Sequence, residues 1–369
     1  MKRYIPLIII VLTLLLTLAT CERTAYVPVR QSVPGLTVPP PDFAIGAPDQ
    51  AAKPESPHEP TWTGPVNPLT GLPTDVDMSQ TRPVAIMINN LRRALPQLGV
   101  SQADIIYEVP VEGGETRMLA VFQDVSDIGY IGSVRSARPY FVDLAQGHDA
   151  VFIFAGGSHD AYRVLSERSI TRLDGVNGGL THIFFRNQDR RRAMGYEHSM
   201  LTSGELISQH LPTYNFRLEH NEGFEHTFTF TDDATPQGGS PAESVNIIFS
   251  SAARSTSFSW DAESRHYYVS QQGGPYVDGN CDTQLTMTNV IVLRTTVQSI
   301  DREGRLRITL TGSGSGYFIN GGEYVEITWS KESPSAPFVF TLSDGSPLIV
   351  GQGRTYIGIV PNNATVSIN

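Results

Sequence analysis

The chain has 369 residues, with 27 basic and 37 acidic side chains and a net charge of −10. That acidic balance argues against nucleic acid as a partner, and leaves local clusters of basic residues as the places where anions can bind. Its two cysteines, Cys21 and Cys281, cannot supply a disulfide framework once Cys21 is modified.

Lys2 and Arg3 precede an apolar run from Ile5 to Ala19, the layout of a secretory signal over residues 1–20. The run is interrupted by Pro6 and falls short of the roughly 20 apolar residues that a membrane helix needs. Leu18-Ala19-Thr20-Cys21 resembles a bacterial lipobox, which implies cleavage before Cys21 and lipidation of its thiol. Thr20 departs from the usual small residue there, so secretion with a free thiol and an uncleaved anchor stay open. Loss of Lys2 and Arg3 with the signal takes the net charge from −10 to −12. Residues 21–63 form the next segment, with nine prolines between Glu22 and Pro60 and no apolar periodicity. Such a segment cannot bury enough surface to order itself and reads as a disordered tether. Its 39 residues, extended at about 3.1 Å each, reach roughly 120 Å.

Residues 64–230 alternate strand and helix signals. Val84–Ile88, Ile105–Val109, Arg117–Phe122 and Val151–Phe154 are short apolar runs, and Pro139–Gly147, Asp160–Arg168 and Ser203–His210 are helix candidates. An α/β amino-terminal domain with a buried sheet follows. Residues 231–369 show strand-like runs at Val245–Phe249, Asn289–Val297, Leu306–Leu310, Tyr324–Trp329 and Tyr356–Val360. Turn signals at Gln272-Gly273-Gly274-Pro275, Glu303-Gly304, Asn320-Gly321-Gly322 and Asp344-Gly345 make this a β-rich carboxy-terminal domain.

Several words in these segments carry a resemblance. They include Asn67-Pro68-Leu69-Thr70-Gly71, Arg82-Pro83-Val84-Ala85-Ile86-Met87-Ile88, Tyr107-Glu108-Val109, Gly132-Ser133-Val134-Arg135-Ser136-Ala137-Arg138-Pro139-Tyr140-Phe141 and, further on, Phe258-Ser259-Trp260-Asp261. On these the chain resembles the YerB-like family of bacterial lipoproteins, which carry two uncharacterised domains and have no assigned reaction. The resemblance implies an extracytoplasmic, membrane-anchored envelope protein and supplies no substrate. Asn89-Asn90 stands where the family often has Asp-Asn, and Tyr276 where it often has a histidine.

The richest segment for chemistry is Val111 to Ala145, where Arg117, Arg135 and Arg138 sit among glycines. Pro139 suits the first position of a helix and pushes Arg138 towards extended geometry, so a helix is expected to start at Pro139 with Arg138 as its cap. No acid neutralises its first turn, and Arg135, Ser136 and Arg138 add donors suited to phosphate or carboxylate. The strand Val151–Phe154 leads through Gly156 and Gly157 into Ser158, a good N-cap, at the kind of turn where α/β sheets bind ligands. As a nucleophile elbow this word fails, because Asp160 occupies the position that requires glycine. The same arginines could instead pair internally with Glu108, Glu112, Glu115 and Asp143. Glu108, Glu112 and Asp160 are candidate acid/base or wall residues. His148, His159, His182 and His198 lack metal-motif spacing, and neither a metal nor a cofactor is expected.

The leading expectation is a lipoprotein held to the membrane through Cys21 that binds an anionic ligand in its amino-terminal domain. Two alternatives stand beside it: an envelope phosphotransferase or hydrolase acting on a lipid-phosphate-linked substrate, and a structural interaction protein with no small-molecule site. Ligand identity, protein partners and oligomeric state are not readable from these residues.

Overall fold

In a strand covered on both faces, successive side chains enter opposite cores, and this alternation organises the molecule. The computed structural model describes residues 63–251 and 254–369; the expected signal, the Cys21 lipidation site and the tether up to residue 62 lie outside the described residues. Strand β1 (Val84–Asn89) sends Ala85 and Met87 into one core and Val84, Ile86 and Ile88 into the other. β2 (Ile105–Pro110) sends Ile105, Tyr107 and Val109 one way and Ile106 the other, and β3 (Thr116–Phe122) splits in the same manner.

A short strand, β4 (Tyr130–Gly132), precedes helix α1 (Pro139–Gly147), β5 (Val151–Phe154), α2 (His159–Glu167) and β6 (Arg172–Asp174). Tyr140, Phe141 and Leu144 of α1 and Ala161 and Leu165 of α2 pack in the same core as Phe152 and Phe154. Truncating such a phenylalanine to alanine costs about 3–5 kcal/mol. β7 (Phe185–Arg186), α3 (Gln188–Met194), β8 (Met200–Ser203) and α4 (Gly204–His210) follow, and β4, β8 and β7 form a small sheet.

The helix expectations hold to within a residue: Ser158 caps α2 as expected, and Ser203 caps α4 rather than lying inside it. Helix α3 carries no apolar period and is absent from the sequence reading. Its only buried residue is Arg190, and Asn187 starts it by accepting from the Arg190 amide at 2.9 Å.

The two sequence regions share one sheet of eleven strands. From β6 the order runs β5, β1, β3, β2, then Thr355–Pro361, Asn289–Thr295, Gly312–Asn320, Glu323–Lys331 and Ser240–Pro241, with Val339–Thr341 as the eleventh strand, also paired to Glu323–Lys331. Thr355–Pro361 lies parallel to both of its neighbours, β2 and Asn289–Thr295, and so joins the amino-terminal strands to the carboxy-terminal ones. A second sheet, built on Ser244–Ile248, Ser255–Asp261 and His266–Gln271, covers one face through Val245, Phe258 and Tyr267.

All four expected turns stand between or beside paired segments. Gly312–Asn320 is a strand that its glycine-rich sequence conceals. Its glycines serve close packing, since a Cβ on Gly316 would lie 2.4 Å from the Val292 carbonyl oxygen and one on Gly314 would lie 2.7 Å from the Trp329 ring nitrogen.

Candidate functional site

Strands β1, β5 and β6 are mutually parallel, and β2 is parallel to β1 because both pair antiparallel with β3. The carboxyl ends of these four strands therefore share one edge, where ligands sit in open α/β sheets. The segment after β4 is threaded onto that edge. The Arg135 amide donates to the Met87 carbonyl at 2.9 Å, the Ala155 amide to the Arg135 carbonyl at 3.0 Å, and the Ala137 amide to the Gly156 carbonyl at 2.9 Å. Helix α1 then starts at Pro139 with extended Arg138 as its cap, and no acid lies in its first turn.

These constraints bring Arg117, Arg135 and Arg138 to one groove of about 490 Å³, lined also by Glu112, Thr116, Ser158 and Leu91. Arg138 forms a two-pronged pair with Glu112, Nε to Oε1 at 2.6 Å and Nη2 to Oε2 at 2.9 Å. Arg117 donates to the Ser136 carbonyl at 2.9 Å and stands 4.0 Å from Glu112. Arg135 donates from Nη1 to the Glu197 carbonyl at 3.2 Å, while its Nε is buried without a protein partner. Arg138 and Arg117 thus share the Glu112 carboxylate, and Arg135 stands beside them without it.

The electrostatics report the imbalance. Burial, then the charges of Arg138 and Arg135, push the Arg117 guanidinium down to about 9. Burial and Arg138 act on Arg135 in the same direction, against the attraction of Glu197. Burial opposes ionisation of Glu112, but the Arg138 hydrogen bonds and charge, with Arg117 behind them, outweigh it and hold the carboxyl below its usual range.

The glycine turn plays a different part from the one expected. The Gly156 amide donates to Asp174 at 2.9 Å, the Ser158 amide to the Ala137 carbonyl at 3.3 Å, and the Ser158 hydroxyl accepts from the Ala161 amide at 3.2 Å. Gly156 takes φ +74°, which the turn requires, and a parallel bridge from Ala137 to Gly157 sets the starts of α1 and α2 side by side. Gly156, Gly157 and Ser158 therefore shape the edge, with the Gly156 and Ser158 amides already engaged. In α1 the Phe141 and Val142 amides bond to the Arg138 carbonyl, so the arginine side chains carry the donors that face the groove.

Glu108 is removed from the groove. It is buried, and its oxygens accept from Asn90 at 2.9 Å, Thr116 at 2.6 Å, Thr256 at 2.7 Å and Gln271 at 3.0 Å, with the Tyr356 hydroxyl as a fifth donor. Burial raises its pKa against the pull of these donors. Its place is that of a polar joint between β2, the neighbouring strands and the second sheet. Asp160 lies over an adjoining cavity of about 240 Å³ between the first turns of α1 and α2, 4.0 Å from Arg163. His148, His182 and His198 are dispersed, bonded to Tyr107, Tyr214 and Asn89 respectively. Asn90 is tied to Glu108 and Thr116, and Tyr276 is buried with its hydroxyl on the Met118 sulfur at 3.5 Å.

The groove also takes Glu303 and Arg305 from the loop joining Val297–Ser299 to Leu306–Ile308, and Glu115 from beside β3. None belonged to the expected anion site, since the pairing that brings the loop there is long-range. Glu115 is ion-paired to Arg254, and Arg305 to Asp301 and Glu303, so these acids have partners other than Arg117, Arg135 and Arg138.

Comparison with known proteins identifies the relatives of this arrangement. Residues 69–217 match the model of the protein of unknown function (DUF3048) N-terminal domain, and residues 245–357 match its C-terminal domain. The chain is 30% identical over 307 residues to a protein of Bacillus subtilis (strain 168) named "Putative lipoprotein YerB", covering 82% of this chain and 88% of the relative. The crystal structure of YerB from Bacillus subtilis superposes with a TM-score of 0.69 at 28% identity, over 82% of this chain and 99% of that one. The chain belongs to the YerB-like family of proteins that carry the two DUF3048 domains.

Proposed function

We propose that this protein is an envelope lipoprotein, tethered through Cys21, that binds a phosphate- or carboxylate-bearing ligand in the groove between Arg117, Arg135 and Arg138. The observation that carries the reading is the convergence of Arg117, Arg135 and Arg138 on one groove, where Glu112 pairs with Arg138 and lies 4.0 Å from Arg117 while a buried Arg135 Nε lacks a partner. An anion entering the groove would relieve the mutual repulsion of the arginines and complete the donor set. The lipobox at Leu18–Cys21 and the name of the Bacillus subtilis relative support the envelope assignment.

A transferase or hydrolase reading has less behind it, because the Glu112 carboxylate is held by Arg138 and the Ser158 hydroxyl caps α2.

The test is thermal stabilisation by pyrophosphate and phosphorylated envelope precursors, comparing wild type with the Arg135→Ala/Arg138→Ala double variant. Selective stabilisation of the wild type supports the reading, and absence of stabilisation by any of these anions rejects it.

A further inference from the structure

The basic character of the groove continues beyond Arg135. Its Nη1 donates to the Glu197 carbonyl, and Glu197 belongs to the turn Tyr196–His198 that follows α3. On the far side of that turn, Arg93 lies within electrostatic reach of both Glu197 and His198. Arg190 fixes this region: it is buried, donates from Nη1 to the Pro96 carbonyl at 2.8 Å and from Nη2 to the Ala94 carbonyl at 2.6 Å, and so clamps α3 onto the turn Arg92–Ala94. With Arg190 turned inward, Arg191 and Arg192 are exposed, as are Arg92 and Arg93. Arg186 lies over the exposed Tyr196 ring at 3.5 Å from its centroid, and Arg191 at 5.2 Å.

Arg93, Arg135, Arg186 and Arg191 therefore gather about the Tyr196–His198 turn, with Arg92 and Arg192 beside them in sequence and Asp189 and Glu197 as acids of the same segment. Asp189 is already ion-paired to Arg192. In a chain of net charge −10, such a face is a local inversion of sign, and it is continuous with the groove. Guanidinium forks fit phosphate oxygens bidentately, and a row of them fits a ligand whose charges repeat. The one exposed ring in the group, Tyr196, is engaged by arginine and so does not make the series of free aromatic platforms on which nucleic-acid bases stack.

Building on the anion-binding reading of the groove, we propose that the natural ligand is a chain of linked phosphates. Its terminal phosphate occupies the groove between Arg117, Arg135 and Arg138, and the following phosphates run across Arg92, Arg93 and the exposed face of α3.

The experiment measures binding of pyrophosphate and of inorganic polyphosphate chains of increasing length to the full chain, over a salt series, with affinities expressed per phosphate. The expected result is a gain of about tenfold or more from pyrophosphate to the long chains, with a steeper salt dependence. The variant Arg92→Ala/Arg93→Ala/Arg191→Ala/Arg192→Ala alters only exposed side chains. It should abolish the length gain, lower the salt slope for the long chains by roughly 3, and cost pyrophosphate far less affinity than it costs the long chains. Pyrophosphate binding without length dependence, or a length gain that survives in the variant, overturns the proposal while leaving the groove reading intact. Failure of pyrophosphate to bind rejects the groove reading itself. Oligodeoxythymidine of equal charge binding as tightly as polyphosphate would also overturn the proposal, in favour of a nucleic acid.

Discussion

Two arginine clusters flank the amino-terminal part of the sheet, and they resolve their charges in opposite ways. Beside the start of β1, Arg82 uses all three of its nitrogens. Nε donates to the Asp149 carbonyl, Nη1 to the Arg217 carbonyl at 2.6 Å and Thr171 at 3.2 Å, and Nη2 to the Ala150 carbonyl at 3.3 Å. Arg217 grips Asp149 with two bonds of 2.6 and 2.7 Å, and His220 approaches the same carboxylate at 3.1 Å. At the carboxyl edge, Glu112 answers Arg138 and Arg117, and the buried Arg135 Nε is left over. A cavity of about 420 Å³ adjoins the first cluster and one of about 490 Å³ the second, so size does not separate them. What separates them is that the first cluster answers the Arg82 and Arg217 donors from within and leaves His220 Nε2 without a partner, whereas the carboxyl edge leaves a guanidinium nitrogen unanswered, and an unanswered guanidinium is the better guide to where an anion goes.

The sharpest way to break this comparison is to remove one arginine from each side. Arg82→Ala leaves the Asp149, Ala150 and Arg217 carbonyls without this donor and takes one of three basic partners from the Asp149 carboxylate, and should cost about 3–5 kcal/mol in denaturant unfolding, with no change in pyrophosphate affinity for the folded protein. Arg135→Ala should cost about 1 kcal/mol or less and weaken pyrophosphate binding strongly. If the two variants behave alike, the contrast is void.

The next effect concerns the built-in carboxylate. Glu112→Gln removes the negative charge that competes for Arg138 and Arg117, and should raise pyrophosphate affinity about tenfold, a change of about 1.4 kcal/mol, in titration calorimetry. Acid should act in the same direction. Because the folded state holds the Glu112 carboxyl below its ordinary value of 4.5, its contribution to stability is present above that value and is lost as pH falls through the depressed one. Sulfate, which keeps its charge in this range, should therefore bind more tightly to wild type as pH falls from about 5 to 3, and the Glu112→Gln protein should show a flatter profile. A smaller effect follows from Ser158. Its hydroxyl caps α2, so Ser158→Ala should lower stability by about 1 kcal/mol and leave anion affinity within twofold, whereas a large loss of binding would make it a ligand group.

Local rules made part of this site legible. Pro139 after Arg138 and Ser158 before His159 fix helix starts by their own backbone and side-chain chemistry, and both starts stand where the sequence places them. The partners of the arginines were another matter. Glu112 and Arg138 are 26 positions apart, and whether they meet depends on how β2, β3 and the segment after β4 are laid together. Helix α3 was hidden because it rests on a buried arginine and carries no apolar stripe, and Gly312–Asn320 because glycine reads as turn unless the close neighbour is known. Glu108 looked like a candidate for chemistry because sequence gives the residue type but not the five donors that surround it.

The strand Thr355–Pro361, lodged between β2 and Asn289–Thr295, governs when the molecule can come into being. Tyr356 reaches Glu108 across 248 positions of sequence, so an emerging polypeptide cannot complete its central layer until that late segment has been synthesised and delivered. Until then β2 presents a bare edge, and closure must bridge a long loop, which slows folding and exposes the intermediate to aggregation. A fragment of residues 63–230 should accordingly precipitate rather than fold.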